Sequence, residues 1–316
     1  MSKSTFLPSV SVIVPIFNGA ADVPRLLEQI TAQTYQTDQV EYLLVDNNSC
    51  DRTAEILQAA LADYSGLPLK ILQETAIQSS YAARNTGIRA ASGEVLAFTD
   101  ADCCPQVDWL EQLVQPFQNA DIGLVIGEIR GLPGQTWLER YADQVDTLSQ
   151  RYTLEHSFCP YGQTANLAVR SSVLKTVGLF RPYLTTGGDA DLCWRIQRES
   201  DWQLAFAEDA IIQHRHRSNF AELRSQWRRY GRSNRYLHEL YGVSLMPKPR
   251  LKYQAYLLSR WLLKEAPQNL LTMLKGQESW ISLVRTPINV YCNWQRFQGQ
   301  QTAQSLDTQA QFIDRL

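Results

Sequence analysis

The feature that most limits how this chain can fold is an alternation repeated between residues 9 and 98. Ser9–Pro15, Tyr42–Val45, Leu69–Leu72 and Val95–Phe98 are short apolar runs with almost no polar interruption. Runs of that length and composition suit strands buried on both faces of a sheet. Between the first two, a turn at Asn18-Gly19 leads to Val23, Leu26, Leu27 and Ile30, the i, i+3, i+4, i+7 stripe of an amphipathic helix with Pro24 in its first turn. After the second, Asp51 is placed to cap a helix bearing Ile56, Leu57, Ala60 and Leu61. Before the fourth, Ser79 is placed to cap a helix through Ala91 that Gly93 ends. Strands alternating with helices make βαβ units, so the expected fold class is α/β with a mostly parallel central sheet and helices on both faces.

In such sheets ligands bind outside the carboxyl ends of the strands. Two acidic clusters fall there: Asp46 closes the second run, and Asp100 and Asp102 in Thr99-Asp100-Ala101-Asp102 close the fourth. Carboxylates one residue apart raise each other's pKa unless a cation offsets them, and a hard divalent ion shared with substrate phosphates does so. The same residues also suit a polar turn, where Asp is common. No GxGxxG follows the first strand and no GxxxxGK[ST] occurs, which disfavours a dinucleotide fold and a P-loop.

Beyond Asp102 a helix is expected from Trp109 and a strand at Ile122–Ile126, after which Gly127–Gln163 loses the alternation. Leu167–Val169 is a short apolar piece, and Ser171 or Ser172 caps a brief helix ending at Gly178. In Gly187-Gly188-Asp189-Ala190-Asp191, two glycines permit a sharp turn, and both aspartates stand at a helix N-terminus, whose dipole favours their ionised form. Either suits a general base, and capping alone would explain one of them. Leu204–Phe206 and Ala210–Gln213 read as two short strands, the second running into His214-Arg215-His216, whose alternate histidines point the same way on a strand and offer metal ligands.

With 316 residues, 44% hydrophobic and 20% charged, the composition is that of a soluble globular protein, and no run of 18 apolar residues suggests a membrane span. The start, Met-Ser-Lys-Ser-Thr-Phe-Leu-Pro, lacks a secretory h-region, and six scattered cysteines without CxxC spacing suggest reduced thiols in the cytoplasm. The net charge of −2 hides an asymmetry: Gln213–Lys264 holds 12 Lys/Arg against Glu222 and Glu239, a local +10 that leaves −12 elsewhere. A basic face of that kind suits a phosphate-bearing substrate or an anionic membrane surface better than nucleic acid. The region after residue 219 reads as helical, with Phe220, Leu223, Trp227 and Tyr230 on one aromatic face and leucines and tryptophans among basic residues from Trp261 to Val284. Such a stripe suits either its own core or a membrane interface, and the Gln-rich polar end from Gln295 reads as frayed.

Taken together, Val12-Ile13-Val14-Pro15 with Asn18, Val45-Asp46-Asn47-Asn48-Ser49 with Asp51 and Thr53, Ala83-Arg84-Asn85 with Gly87, Ser92-Gly93-Glu94, Phe98–Asp102, and Gly188–Leu192 with Arg195 occur in an order and spacing that resemble glycosyltransferase family 2, of the GT-A fold. The resemblance spans about residues 8–235. It implies inverting transfer of a sugar from a nucleotide diphosphate donor, a UDP- or GDP-sugar, with one Mn²⁺ or Mg²⁺. By motif it puts Pro15 and Asn18 beside the nucleoside, Asp46 on the base or ribose edge, Arg84 and Ala101 near the nucleotide, and Asp100 at ribose or metal. Asp102 and His214 would hold the metal. Asp189 matches the base that takes the acceptor proton, with Asp191 its neighbour. The family often has Glu where Gly188 stands, which leaves the choice between Asp189 and Asp191 open. Gln226-Trp227-Arg228-Arg229-Tyr230 approaches the Gln-x-x-Arg-Trp motif of processive polysaccharide synthases, with Tyr230 in place of Trp.

The expected organisation is a nucleotide-sugar-binding half at 1–104, an acceptor-binding half with the general base at 105–218, and a basic amphipathic helical region at 219–316. The expected activity is single transfer to an acceptor hydroxyl of a lipid-linked or polysaccharide-type glycan, in the cytoplasm or peripherally on the inner face of the membrane. A metal-dependent nucleotidyltransferase and a processive synthase are the alternatives.

Overall fold

The computed structural model describes residues 7–275 and 280–316. The absence of an apolar leader was inferred chiefly from residues 1–6, which lie outside the described residues. The apolar runs become β1 (Val10–Ile16), β2 (Val40–Asp46), β3 (Leu69–Gln73) and β4 (Val95–Phe98), separated by α1 (Val23–Thr31), α2 (Thr53–Asp63) and α3 (Ser80–Ala90). Every residue of β1, β2 and β4 is buried, the polar Ser11, Glu41 and Asp46 included. Ser79 does cap α3, its hydroxyl accepting from the Tyr81 amide. Asp51 acts one position early: it takes the Thr53 amide while Arg52 occupies the cap. Gly93 does not end α3, whose C-cap is Ala91; it lies hard against the Ser11 backbone instead.

Next come β5 (Cys103–Pro105), α4 (Trp109–Val114), β6 (Ile122–Gly131), α5 (Trp137–Gln144), α6 (Arg151–Leu154), β7 (Leu167–Arg170), α7 (Ser171–Val177), α8 (Gly188–Glu199) and β8 (Gln203–His214). Neither Ser171 nor Ser172 caps α7, which starts from Arg170 without a side-chain cap. The eight strands form one sheet in the order β3-β2-β1-β4-β7-β6-β8-β5. The β3-β2-β1-β4 half is parallel throughout and β6 is parallel to β8, while β7 and β5 are antiparallel to their neighbours. The two strands expected at 204–206 and 210–213 are one: β8 stays on β6 by bulging at residues 208–210, between the pairs Gly127–Ala207 and Glu128–Ile211.

The amino end of the sheet is tied by one buried carboxylate. Glu41 accepts from the Ser11 hydroxyl (2.6 Å), the Ser92 amide (2.6 Å) and hydroxyl (2.8 Å), and Lys70 Nζ (2.7 Å). Burial alone would raise its pKa; Lys70 and the serine donors outweigh that and hold it at about 2. Ser92-Gly93-Glu94 is thereby a structural clasp, and the carboxyl end of the sheet is left for chemistry.

The described chain divides into two compact units. One comprises residues 7–132, Leu148–Arg215 and Asp307–Leu316; the other comprises Pro133–Thr147 and His216–Leu306. The second unit contains α5 and the helices α9 (Phe220–Tyr241), α10 (Leu251–Arg260), α11 (Ala266–Leu274) and α12 (Ile281–Thr302), with a π-helical turn at Trp261–Glu265 joining α10 to α11. Its core is Leu138, Tyr141, Leu223, Ile281, Ile288 and Cys292. The long helices α9 and α12 approach closely at paired glycines: a Cβ on Gly231 would lie 1.9 Å from the Arg296 carbonyl oxygen, and one on Gly299 2.0 Å from that of Arg228. Far from fraying, residues from Gln295 continue α12, and Asp314 returns to the first unit to pair with Arg89 and accept from Asn85. Among the described residues no helix is long and apolar enough to cross a membrane.

Candidate active site

The loops at the carboxyl ends of β1 and β2 are laced together. The Asn18 amide donates to the Ser49 hydroxyl (2.9 Å), and the Asn18 side-chain oxygen accepts from the Cys50 amide (2.9 Å). Gly19 and Ala20 donate to Thr53 Oγ1 (2.8 Å) and Asp51 Oδ2 (3.1 Å). Asp46, buried at the end of β2, accepts from the Ser49 amide at 3.1 Å. Asn47 donates to the carbonyls of Glu74 and Ile77, both at 2.9 Å. Asn47, Ser49, Asp51 and Thr53 thus build the loop, and Asp46 is the acid it frames. Pro15 is buried in β1 opposite Val45. It faces the same way as Ile13, whose carbonyl accepts from Thr99, but β4 has already ended at Phe98. A residue without an N–H therefore loses no ladder bond there.

The paired aspartates separate into two different environments. Asp100 accepts from Arg84 Nη2 at 2.5 Å; Arg84 is buried on α3, and its Nε has no hydrogen-bond partner. Arg84 thus orients Asp100 from beneath. Ala101, half-buried, separates it from Asp102. Asp102, 39% exposed at its side chain, lies 3.2 Å from His214 Nε2. The antiparallel pairing of β5 with β8 sets Cys103 opposite His214, and ligand atoms of Asp102, Cys103 and His214 all lie within 4.8 Å of one another. Burial alone would lower the His214 pKa; the hydrogen bond and charge of Asp102 overcome it and raise it. The buried Cys103 thiol is pushed well above its usual range, first by burial and then by Asp100 and Asp102, and its soft sulfur is a poor match for a hard ion such as Mg²⁺. A carboxylate and an imidazole remain, a donor set that fits Mn²⁺ or Mg²⁺ completed by substrate oxygens. Asp22, which sequence reasoning missed, adds a further acid: burial and then Asp102 raise its pKa, and Arg215 lies 3.9 Å away.

His216 is not on the strand. β8 ends at His214, so the alternation stops, and His216 belongs to the second unit with Nε2 3.9 Å from Asp143.

Asp189 and Asp191 also part. Asp191 is fully buried, with Oδ1 2.9 Å from Arg181 Nε and Oδ2 3.1 Å from Arg195 Nη2. Both of its oxygens are committed to guanidinium groups and anchor α8, which favours Asp189 over Asp191 as the candidate base. Asp189 is half-exposed and accepts from Thr164 Oγ1 at 2.9 Å. Gly187 takes φ +82° to start the helix, and the Gly188 amide donates to the Tyr81 hydroxyl at 3.0 Å. A Cβ on Gly188 would lie 2.7 Å from the Tyr81 ring, which explains why no Glu stands there. Tyr81 is on α3, with the Arg84 guanidinium 5.7 Å from its ring centroid, so one helix touches both Asp100 and the turn that presents Asp189. The sequence offered no signal for Tyr81; Thr164 sat unremarked in Gly162-Gln163-Thr164-Ala165-Asn166.

The family model described as Glycosyl transferase family 2 matches residues 11–204. Glycosyltransferase AglE of Haloferax volcanii is 36% identical over 259 residues, 81% of this chain and 81% of AglE. Among solved structures, the mannosyltransferase PcManGT from Pyrobaculum calidifontis, in complex with GDP-Man and Mn²⁺, superposes with a TM-score of 0.63 at 20% identity, over 93% of this chain and 86% of that one. S. aureus TarS 1–349 in complex with UDP-GlcNAc gives 0.54 at 16% identity, over 93% and 90%.

Proposed function

The chain belongs to glycosyltransferase family 2 and has the GT-A fold, and from that premise we propose that it is an inverting transferase moving a sugar from a UDP- or GDP-sugar to an acceptor hydroxyl. The observation that carries this reading is the exposed carboxylate of Asp102 beside His214, 3.2 Å apart at the carboxyl side of the sheet. That pair would hold Mn²⁺ or Mg²⁺, which as a Lewis acid offsets charge on the departing diphosphate. The ligands named for PcManGT and TarS, GDP-Man with Mn²⁺ and UDP-GlcNAc, support a nucleotide-sugar donor. Pro15 and Asn18 would lie beside the nucleoside and Asp46 on its base or ribose edge; Asp100, oriented by Arg84, would meet the ribose or metal, with Arg84 and Ala101 near the nucleotide.

Asp189 takes the proton from the acceptor hydroxyl as its oxygen forms the new bond to the sugar's anomeric carbon. The bond from that carbon to the diphosphate oxygen breaks, and the nucleoside diphosphate keeps the electron pair. A single in-line displacement inverts the anomeric centre. Asp189 stands in the first turn of α8, where the helix dipole favours an anion, and the Thr164 hydroxyl fixes its orientation. Tyr230, whose hydroxyl accepts from Gln226 Nε2 at 3.1 Å within α9, stands where processive synthases have Trp, in keeping with single additions. A glycan acceptor borne on a lipid would bring transfer to the inner face of a membrane.

Asp189→Asn tests the assignment. The variant is expected to keep metal-dependent binding of the nucleotide sugar, read as a thermal shift, while nucleoside diphosphate release falls by about 10²–10⁴-fold. Release at the wild-type rate would remove Asp189 from the mechanism.

A further inference from the structure

The second unit carries a helix that is built inside out. From Leu251 to Leu274, through α10, the π-turn and α11, no residue is fully buried. Half-buried are Leu257, Ala266 and Met273 together with five side chains that carry a polar group, Gln254, Trp261, Glu265, Asn269 and Thr272. Three of them hydrogen-bond to α12: Trp261 Nε1 to the Leu283 carbonyl (2.7 Å), Asn269 Nδ2 to that of Ser282 (2.9 Å), and Glu265 from Thr286 Oγ1 (2.7 Å). The outward side is apolar. Leu251, Leu262, Leu263, Leu270, Leu271 and Leu274 are exposed, Leu263 by 78% and Leu274 by 74%. An ordinary surface helix does the reverse, turning its leucines inward.

The charge around these leucines selects what covers them. Lys248, Arg250, Lys252, Arg260, Lys264 and Lys275 are exposed, against Glu265 as the one acid between residues 248 and 275. Tyr253 and Tyr256, each 56% exposed, add rings with an apolar body and a polar tip. Leucines flanked by cations and tyrosines are the composition of a helix lying in the plane of a lipid interface, its apolar side in the acyl boundary and its cations on anionic headgroups. A second copy of this chain would bring the same six cations together, which opposes self-pairing.

We propose that the 251–274 helix docks the protein on an anionic bilayer surface, with Leu262, Leu263, Leu271 and Leu274 in the acyl boundary. The sequence pointed to the wider span 220–285. The structure removes α9 from it, because Leu223 and Leu237 are buried, and Phe220, 45% exposed, has its ring centroid 5.4 Å from that of Tyr291.

The experiment is co-flotation of the full chain with vesicles of phosphatidylcholine alone and of phosphatidylcholine mixed with phosphatidylglycerol. Sedimentation equilibrium without lipid accompanies it. The protein is expected to float with the anionic vesicles at low salt and not with the neutral ones. The Leu263→Glu/Leu274→Glu variant is expected to lose about a hundredfold or more in partitioning. Both positions are exposed, so its melting temperature should match that of the wild type. Failure to float with anionic vesicles at low salt overturns the proposal, and so does equal flotation of the variant. Self-association abolished by the same two substitutions would assign the face to a second copy and equally overturn it.

Discussion

Asp189 and Asp191 stand two residues apart on α8 and meet opposite surroundings, so substituting them should give opposite results. Asp191→Ala leaves Arg181 and Arg195 without their carboxylate in a fully or largely buried site. Breaking a buried pair in this way costs about 3–5 kcal/mol, and a fall of roughly 10 °C in melting temperature is expected for a chain of this size. Asp189→Asn keeps an acceptor for Thr164 and should melt within about 2 °C of the wild type. If Asp191→Ala melted like the wild type, the anchoring role would fail. The sequence brought both aspartates to a helix N-terminus but not apart. What divides them is Arg181, ten residues upstream, which folds back onto one and not the other. Gly188 is similar: its departure from the family pattern was legible, while its cause, the Tyr81 ring brought in from α3, is tertiary.

At the scale of elements, β1 to β4 were readable because each strand holds a short apolar run and the helices between them carry local signals. β5, by contrast, has three residues, and only its pairing with β8 brings His214 to Asp102. That contact spans more than a hundred residues and no local pattern encodes it. The bulge that keeps β8 continuous was likewise read as a gap. Glu41 shows how the amino end is held, and its protonation gives a pH test. Its folded pKa of about 2 lies below the ordinary 4.5, so its contribution is complete above about pH 4.5 and is lost as pH falls from there toward 2. Glu41→Gln should lower stability at pH 7 by up to about 3 kcal/mol, and denaturant titrations of the two proteins should converge on acidification. A gap independent of pH would exclude the carboxylate as the cause. The end of the chain offers a second test. Asp314 pairs with Arg89 and accepts from Asn85, and the Gln311 carbonyl accepts from Arg181. Asp314→Ala should cost about 1 kcal/mol, or roughly 2–4 °C, where a frayed end would show no change.

For the whole molecule, the uneven charge noted at the outset has two addresses. Asp46, Asp100, Asp102 and Asp189, the acids of the proposed site, lie in the first unit; the 12 Lys/Arg of Gln213–Lys264 lie almost wholly in the second. The α/β architecture could be read from one sequence because it repeats a local pattern. The sheet's mixed half and the outward-facing helix could not, since both depend on which faces meet. The central claim is that this chain transfers a sugar and releases a nucleoside diphosphate. Its most direct test is product analysis after incubating the purified protein with UDP- and GDP-sugars, Mn²⁺ and glycan acceptors. The account predicts a nucleoside diphosphate from at least one donor, formed with Mn²⁺ or Mg²⁺, abolished by chelator and absent in Asp102→Ala. Release of pyrophosphate, as from a nucleotidyltransferase, or undiminished release by Asp102→Ala, would contradict it.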